Sequence, residues 1–317
     1  GISLYPEHGN STEALLKNAS TALYHAKLQG HNLYRFYDED QNRDSMETLK
    51  LENDLRHALE RNELELYYQP KIDLATGQVN SMEALLRWQH PQLGMIPPAE
   101  FIPIAEETGL IVDIGYRVLE TACQQLGQWQ QQGHGDISLA VNLSAVQFGQ
   151  RDLLKRILTI TGEAGICPDK LEFEITESTV MQNIDAAAYT MRALHCSGMK
   201  ISIDDFGTGY SSLNHLKRFP INTVKIDRTF IRDITSDPDD TAIVSAIISM
   251  AHGMGLKVIA EGVETPEQLV VLQELHCNEI QGFLFSPPVP QQETTALLNQ
   301  GLDECIKPAG IIQSGSG

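Results

Sequence analysis

The chain is short of positive charge, of paired cysteines and of long apolar runs, and each shortage removes a class of function. Lys and Arg total 23 against 42 Asp and Glu, a formal net charge of −19. A sequence-independent nucleic-acid binder needs an electropositive footprint, and so does a surface that docks on anionic lipid. No nucleic-acid polymer is therefore expected as a partner. No stretch approaches the ~18 consecutive apolar residues of a membrane span; the run 242–251 is too short and contains Ser245 and Ser249. The five cysteines, Cys123, Cys167, Cys196, Cys277 and Cys305, lie 28 or more positions apart with no CxxC. An odd, scattered set reads as reduced thiols of the cytosol rather than a disulfide framework or a zinc site. The absence of HExxH removes support for zinc-protease chemistry. No signal peptide is visible and the first residue is Gly1. The expected setting is a cytoplasmic piece of a longer chain, with membrane tethering by upstream segments left open.

What is present is an ordinary globular balance, 42% apolar and 21% charged over 317 residues. Residues 1–37 read as strand, helix, strand: Gly1–Tyr5, then Leu15, Leu16, Ala19, Leu23 and Ala26 at helical spacing until Gly30, then Asn32–Tyr37. A piece under ~40 residues cannot bury enough surface to stand alone, so it packs on a neighbour or belongs to a larger domain. Residues 38–63 are charged, with Met46, Leu49, Leu51, Leu55 and Leu59 in a helical linker pattern. From Leu64 onward, short β-rich runs alternate with amphipathic helical ones. The strand candidates are 64–72, 79–88, 137–142, 171–175, 200–203, 223–226, 257–260 and 278–281; helices are expected near 115–132, 150–165, 183–196, 239–254 and 266–276. Eight strands in ~240 residues fit an α/β fold closed as a (β/α)8 TIM-like barrel better than an open doubly wound sheet. The first two runs are joined by a turn around Ala75–Gly77. That is too short for a crossover, so the first strand should be antiparallel. The absence of GxGxxG after any strand also counts against a Rossmann fold.

Polar residues recur at the carboxyl ends of these runs, where barrel enzymes place their active sites. They are Glu83 with Arg87, Asn142 and Ser144, Glu174 and Thr176, Asp204 and Asp205, Lys225, and Glu261 with Glu264. Each has a bland reading, as a solvent-facing strand residue or a helix cap. The combination is less easily dismissed. Five carboxylates at one end of a barrel repel one another unless a cation lies between them. Oxygen donors with an Asn carbonyl and no Cys or His select hard ions such as Mg²⁺ or Mn²⁺. Glu83, Glu174, Asp204, Asp205 and Glu261 are balanced to neutrality by two divalent ions and Lys225, which leaves room for an anionic phosphodiester.

These residues, in this order, resemble the EAL-domain family of cyclic di-GMP phosphodiesterases from about Leu64 to Pro290. The match is carried by Glu83-Ala84-Leu85 with Arg87, Asn142-Leu143-Ser144, Glu174-Ile175-Thr176-Glu177, Asp204-Asp205-Phe206-Gly207-Thr208-Gly209, Lys225-Ile226-Asp227 and Glu261-Gly262-Val263-Glu264. Gln281-Gly282-Phe283 and Gln69-Pro70 also match. Residues 1–37 resemble the end of a GGDEF domain through Tyr5-Pro6, Ala22-Leu23-Tyr24, Ala26-Lys27 and Asn32–Tyr37, departing from it at Ser20, where Asp is usual. The GGDEF signature itself is absent, so this fragment cannot make cyclic di-GMP.

The resemblance implies metal-dependent hydrolysis of cyclic di-GMP to linear pGpG. Glu83, Asn142, Glu174 and Asp204 would hold one metal, and Asp204, Asp205 and Glu261 a second. Lys225 would orient the nucleophilic water, and Glu261 or Glu264 would accept its proton. Arg87 would clamp a substrate phosphate, with Gln69 and Gln281 as further substrate contacts. Glu177 would anchor a loop over 205–220 that couples dimerisation to metal binding, which implies a homodimer. Upstream sensor and GGDEF domains would belong to the full-length protein. The expected division is a GGDEF remnant at 1–37, a linker helix at 38–63, an EAL barrel at 64–305 and a tail at 306–317. The rival expectation is a catalytically silent cyclic di-GMP receptor or signal-relay module.

Overall fold

The computed structural model describes residues 1–28, 33–209 and 213–300. The expected helix stop at Gly30, the start of the second N-terminal strand at Asn32, the loop residues 210–212, Cys305 and the tail 306–317 lie outside them. In chain order the elements are α1 (Thr12–Leu28), α2 (Glu39–Ala58), β1 (Leu64–Asp73), β2 (Val79–His90), β3 (Gly94–Ile96), α3 (Pro98–Thr108), α4 (Ile111–Gln131), β4 (Ser138–Asn142), α5 (Ala145–Phe148) and α6 (Leu153–Ala164). There follow β5 (Leu171–Thr176), α7 (Glu177–Gln182), α8 (Ile184–Cys196), β6 (Lys200–Phe206), α9 (Leu213–Leu216), β7 (Thr223–Ile226), α10 (Arg228–Arg232), α11 (Pro238–Gly253), β8 (Lys257–Ala260), α12 (Pro266–Glu274), β9 (Glu279–Ile280), β10 (Val289–Pro290) and α13 (Gln291–Gln300). Among the described residues no helix is long and apolar enough to cross a membrane.

The chain forms two compact units, one of residues 1–64 with 88–110, the other of 65–87 with 111–317. The second unit holds the barrel. Its strands run in the order β1-β9-β8-β7-β6-β5-β4-β2, and β1 pairs with β2 to close the ring. Neighbours from β2 round to β9 are parallel, whereas β1 is antiparallel to β9, as the short turn at 75–77 requires. All eight strand candidates are strands, with ends shifted by a few residues.

Side chains alternate across each strand. Leu171, Phe173 and Ile175 of β5, with Ile201 and Ile203 of β6, join a buried apolar layer against Leu126, Ile157, Met191 and Leu194 of the helices. The other strand face points into the barrel and is unusually polar: Lys71, Glu83, Glu172, Glu174, Ser202, Lys225 and Gln281 are all buried there. A barrel interior is normally filled by branched apolar side chains, so this lumen is built for charge.

In the first unit, Trp88 is the centre of a small core. Its ring meets Phe101 and His90 edge to face at 5.6 and 5.5 Å, and its indole N–H donates to Glu63 at 3.1 Å. The sequence reading did not anticipate β3 or α3, whose Ile96 and Phe101 are buried beside it in sequence. It also expected two N-terminal strands. Among the described residues a single parallel bridge forms there, Ile2 to Phe36, around α1. One bridge lacks neighbours on either side to extend it into a strand pair.

Short capping motifs fix where the helices begin. Thr265 and Gln268 form a capping box at α12, and Gln268 also accepts from the backbone N–H of Glu264 at 2.7 Å. Loss of the cap through Thr265→Ala is expected to cost about 1 kcal/mol. Phe173→Ala, at a fully buried position, is expected to cost about 3–5 kcal/mol. Denaturant unfolding of both variants checks the order.

Candidate active site

The predicted carboxylates converge inside one end of the barrel. Glu83 stands on β2, Asn142 ends β4, Glu174 is on β5, Asp204 and Asp205 on β6, Lys225 on β7, and Glu261 follows β8. Lys225 is their hub. Its Nζ lies 2.6 Å from Glu174 Oε2, 2.6 Å from Glu261 Oε1, 3.1 Å from Asp204 Oδ1 and 3.6 Å from Glu83 Oε2. One ammonium thus gathers four carboxylates from four strands.

A second ammonium escaped the sequence reading. Lys71 of β1 is fully buried and its Nζ donates to Glu174 Oε1 at 2.6 Å. Each oxygen of Glu174 therefore carries its own lysine. The available signal was positional: Lys71 is two residues from Gln69, so strand alternation puts both on the inner face. Burial alone would raise the Glu174 pKa, but Lys225 and Lys71 outweigh it and hold the carboxyl at about 2. Burial opposes the charge on Lys71 and Lys225 too, yet Glu174 and its neighbours push both pKa values up. These three groups stay ionised at neutral pH.

The remaining acids are less well compensated. Burial pushes the Glu261 carboxyl up, with Asp204 and Glu83 adding to the shift and Lys225 only partly offsetting it. Asp205 is raised to about 6 by burial, then by Asp204 and Asp227. Glu83 is likewise raised by burial and by Glu174. Asp204, Asp205 and Glu261 each offer an oxygen within 4.8 Å of the others. Hard oxygen donors carrying uncompensated charge fit a divalent cation such as Mg²⁺ or Mn²⁺. Asp205 also has φ of 54°, the left-handed region in which a side chain is strained.

Glu83 is held by neighbours. Asn142 Nδ2 donates to Glu83 Oε1 at 2.7 Å, and Gln281 Nε2 donates to Glu83 Oε2 at 2.6 Å. Gln281 also donates to Gln69 at 2.9 Å, and Gln69 in turn to the Ser286 carbonyl at 3.0 Å. The two glutamines predicted as substrate contacts thus also orient Glu83. Ser144 and Thr176 follow their bland readings, capping α5 and α7. Glu177 accepts from the Gly207 N–H at 3.0 Å. A Cβ at Gly209 would lie 2.5 Å from Glu177 Oε1, so a larger residue there would have to displace that buried carboxylate.

Above the cluster opens a cavity of about 390 Å³ lined by Gln69, Glu83, Leu85, Asn142, Asp204, Arg228, Glu261, Gly262, Glu264, Gln281, Gly282 and Phe283. Arg87, predicted to clamp a substrate phosphate, is not among these lining residues. Its guanidinium donates to the Leu86 carbonyl at 2.8 Å and lies 5.8 Å from the Tyr67 ring centroid. Arg228, which the sequence reading passed over, is there instead.

A mostly parallel barrel with a cation-receptive group of acids at its mouth, beneath an open cavity, has the make-up of a metal-assisted hydrolase site. The sequence matches the EAL domain over residues 52–288, and the chain belongs to that family. It is 48% identical over 296 residues to the bifunctional diguanylate cyclase/cyclic di-GMP phosphodiesterase MucR of Pseudomonas aeruginosa, covering 93% of this chain and 43% of MucR. It is 40% identical to the cyclic di-GMP phosphodiesterase PdeR of Escherichia coli, covering 92% of this chain and 44% of PdeR. The chain therefore spans less than half of these curated relatives. A solved structure described as the PaMucR phosphodiesterase in complex with c-di-GMP superposes with a TM-score of 0.76 at 48% identity, covering 77% of this chain and 99% of that one. The FimX EAL domain superposes at 0.71 with 28% identity, covering 76% and 96%.

Lys71→Met leaves Glu174 buried with one ammonium instead of two. Loss of one partner of a buried pair costs on the order of 3 kcal/mol, so stability at neutral pH should fall by about that much. The sign with pH follows from the depressed Glu174 pKa. Its contribution is complete above about 4.5 and is lost as pH falls toward about 2. Unfolding measured across that window should show a shallower acid slope in the variant.

Proposed function

We propose that this chain hydrolyses cyclic di-GMP to linear pGpG, using two divalent cations, Mg²⁺ or Mn²⁺. The observation that carries the reading is the Asp204–Asp205–Glu261 cluster gathered with Glu83 and Glu174 around Lys225 at the barrel mouth. The family membership and the names of its relatives specify the substrate. Glu83, Asn142, Glu174 and Asp204 would hold one cation, and Asp204, Asp205 and Glu261 the other. Bound there, the cations supply Lewis acidity and lower the pKa of water.

The protein's own groups do the rest. Lys225 brings a fixed positive charge to the place where the phosphoryl oxygens gather negative charge, and orients the attacking water. Gln281, Gln69 and Asn142 keep Glu83 in place. Glu261 or Glu264 takes the proton, and a catalytic acceptor must lie within hydrogen-bond reach of the water. The pH profiles of Glu261→Gln and Glu264→Gln identify which, since the acceptor's variant loses the acid limb of the rate. Arg87 gives one donor to the Leu86 carbonyl and keeps the rest of its fork for a substrate phosphate.

The same reading assigns residues 1–37 to the end of a GGDEF domain, 38–63 to a linker helix, 64–305 to the EAL barrel and 306–317 to a tail. Its support is the apolar surface of the first segment, where Leu16, Tyr34 and Phe36 are exposed; a larger upstream domain would cover it. Glu177 then anchors the loop that follows β6, and the functional unit is a homodimer, which light scattering checks.

Cyclic di-GMP turnover, followed by chromatography with Mg²⁺ and then Mn²⁺, tests the activity. pGpG should form and disappear with chelator, and Glu83→Ala should reduce it by at least about a hundred-fold. Retained binding without turnover moves the protein to the receptor class. Cation binding should also release protons, because the raised Glu261 and Asp205 carboxyls must ionise to ligate. Apparent Mn²⁺ affinity should therefore climb as pH rises through about 6. Calorimetry in buffers of different ionisation enthalpy measures the released protons.

A further inference from the structure

The cavity above the carboxylate cluster has four acidic walls and one basic one. Glu83, Asp204, Glu261 and Glu264 line it, and Arg228 is the one cation among its described lining residues. Lys225 lies beneath, in contact with the acids it gathers and outside the cavity lining. The other candidate cation, Arg87, faces its own strand's carbonyl.

Arg228 differs from most arginines of this chain in having no hydrogen bond or ion pair among the described residues. Arg56, Arg117, Arg156, Arg218 and Arg232 all pair with a carboxylate within 3.2 Å. In a protein of net charge −19, an exposed guanidinium without a partner, beside four carboxylates, stands out as an unused anion receptor.

Its base is also held in place. Arg228 opens α10 directly after the cap Asp227, whose side chain accepts from the Thr229 N–H at 2.9 Å. On the other side, Gly262 has φ of +70°, and a Cβ there would come within 2.6 Å of Arg228 Cβ. The glycine allows the loop carrying Glu261 and Glu264 to lie directly against Arg228. The base of the side chain is thus fixed at the rim of a cavity that the four acids also line.

A cyclic dinucleotide carries two phosphates, and only one is cleaved. The reacting one must lie at the cation-binding carboxylates. The other retains its full negative charge among acidic walls, and transfer of an anion to such a place is costly unless a positive partner meets it. We propose that Arg228 pairs with the phosphate that is not cleaved, and so makes the site selective for diesters bearing a second phosphate. The inference rests on the phosphodiesterase reading and deepens it. Guanidinium forks suit phosphate oxygens, with two parallel N–H donors.

The test compares Arg228→Gln with Arg228→Lys and with Arg232→Gln. Arg232 sits at the far end of the same short helix and is paired with Asp233, so it serves as the control. Each protein is assayed on cyclic di-GMP, on cyclic di-AMP and on bis(p-nitrophenyl) phosphate, which has a single phosphate. A charge-assisted pair predicts a KM for cyclic di-GMP raised about ten- to hundred-fold in Arg228→Gln, with KM carrying the larger part of the loss. The loss should exceed that on the single diester by at least ten-fold, extend equally to cyclic di-AMP, recover in part in Arg228→Lys, and be absent in Arg232→Gln. A KM within two-fold of wild type overturns the proposal, as does an equal loss on the single diester. A loss confined to cyclic di-GMP overturns it too, since that marks a contact to the guanine base. A wild-type protein that cleaves none of the three sinks the phosphodiesterase reading, and this proposal with it. Thermal melting of the variants separates any loss of fold, which an exposed side chain should not cause.

Discussion

The site depends on one carboxylate held between two ammonium groups inside the barrel. Glu174 meets Lys71 through one oxygen and Lys225 through the other, each at 2.6 Å, with all three side chains buried. Lys71 is on β1, Glu174 on β5 and Lys225 on β7, strands that are not neighbours in the ring. The contacts therefore cross the lumen and tie opposite walls together. A buried ion pair repays its desolvation only with close geometry and satisfied hydrogen bonds. Here the geometry is close, and the clamp sets where every other charged group can stand.

From that clamp outward, compensation declines. Glu174 is over-served, with its pKa held at about 2, whereas burial and mutual repulsion raise Glu83, Asp205 and Glu261. The gradient has a chemical meaning. The innermost acid stays ionised at neutral pH, while those nearer the mouth hold their protons more tightly because less positive charge meets them. Such a mouth attracts a hard cation. The left-handed backbone at Asp205 adds a local cost that the surrounding strand must absorb. Lys71 adds a second positive charge to the lumen, and Glu172, buried on the same face, offsets it.

Support comes from a web of polar groups, several of which also line the cavity. The Ser286 carbonyl, Gln69, Gln281 and Glu83 form a continuous hydrogen-bonded series, so the position of Glu83 is set by the segment after β9. Gln268 plays the same part on the other side, closing a capping box at α12 while accepting from Glu264 and donating to the carbonyls of Ile231 and Arg232. Helix starts and site residues are thereby built from the same few bonds. This is how a barrel keeps strand-end side chains within the narrow geometry that chemistry needs.

Much of this protein is legible in its residues taken in order. Period-2 runs separated by amphipathic stretches determined eight strands, the helices between them and the antiparallel start, because apolar faces must be buried and a three-residue turn cannot carry a crossover. The strand-end positions determined most of the site as well, since Glu83, Asn142, Glu174, Asp204, Asp205 and Glu261 all reach one mouth. The N-terminal strands shrank to a single bridge, because local propensity has no force without partners to pair with. Which partners Lys71, Arg87 and Arg228 meet was decided by the tertiary structure. A lysine in a strand reads as solvent-facing until the ring closes and turns its face inward. Likewise an arginine's role depends on whether a neighbour's carboxylate or carbonyl takes its donors. Sequence specifies which groups project from each strand and on which face; only the closed barrel decides which of them meet, because those distances cross the lumen between residues as far apart as 71 and 174.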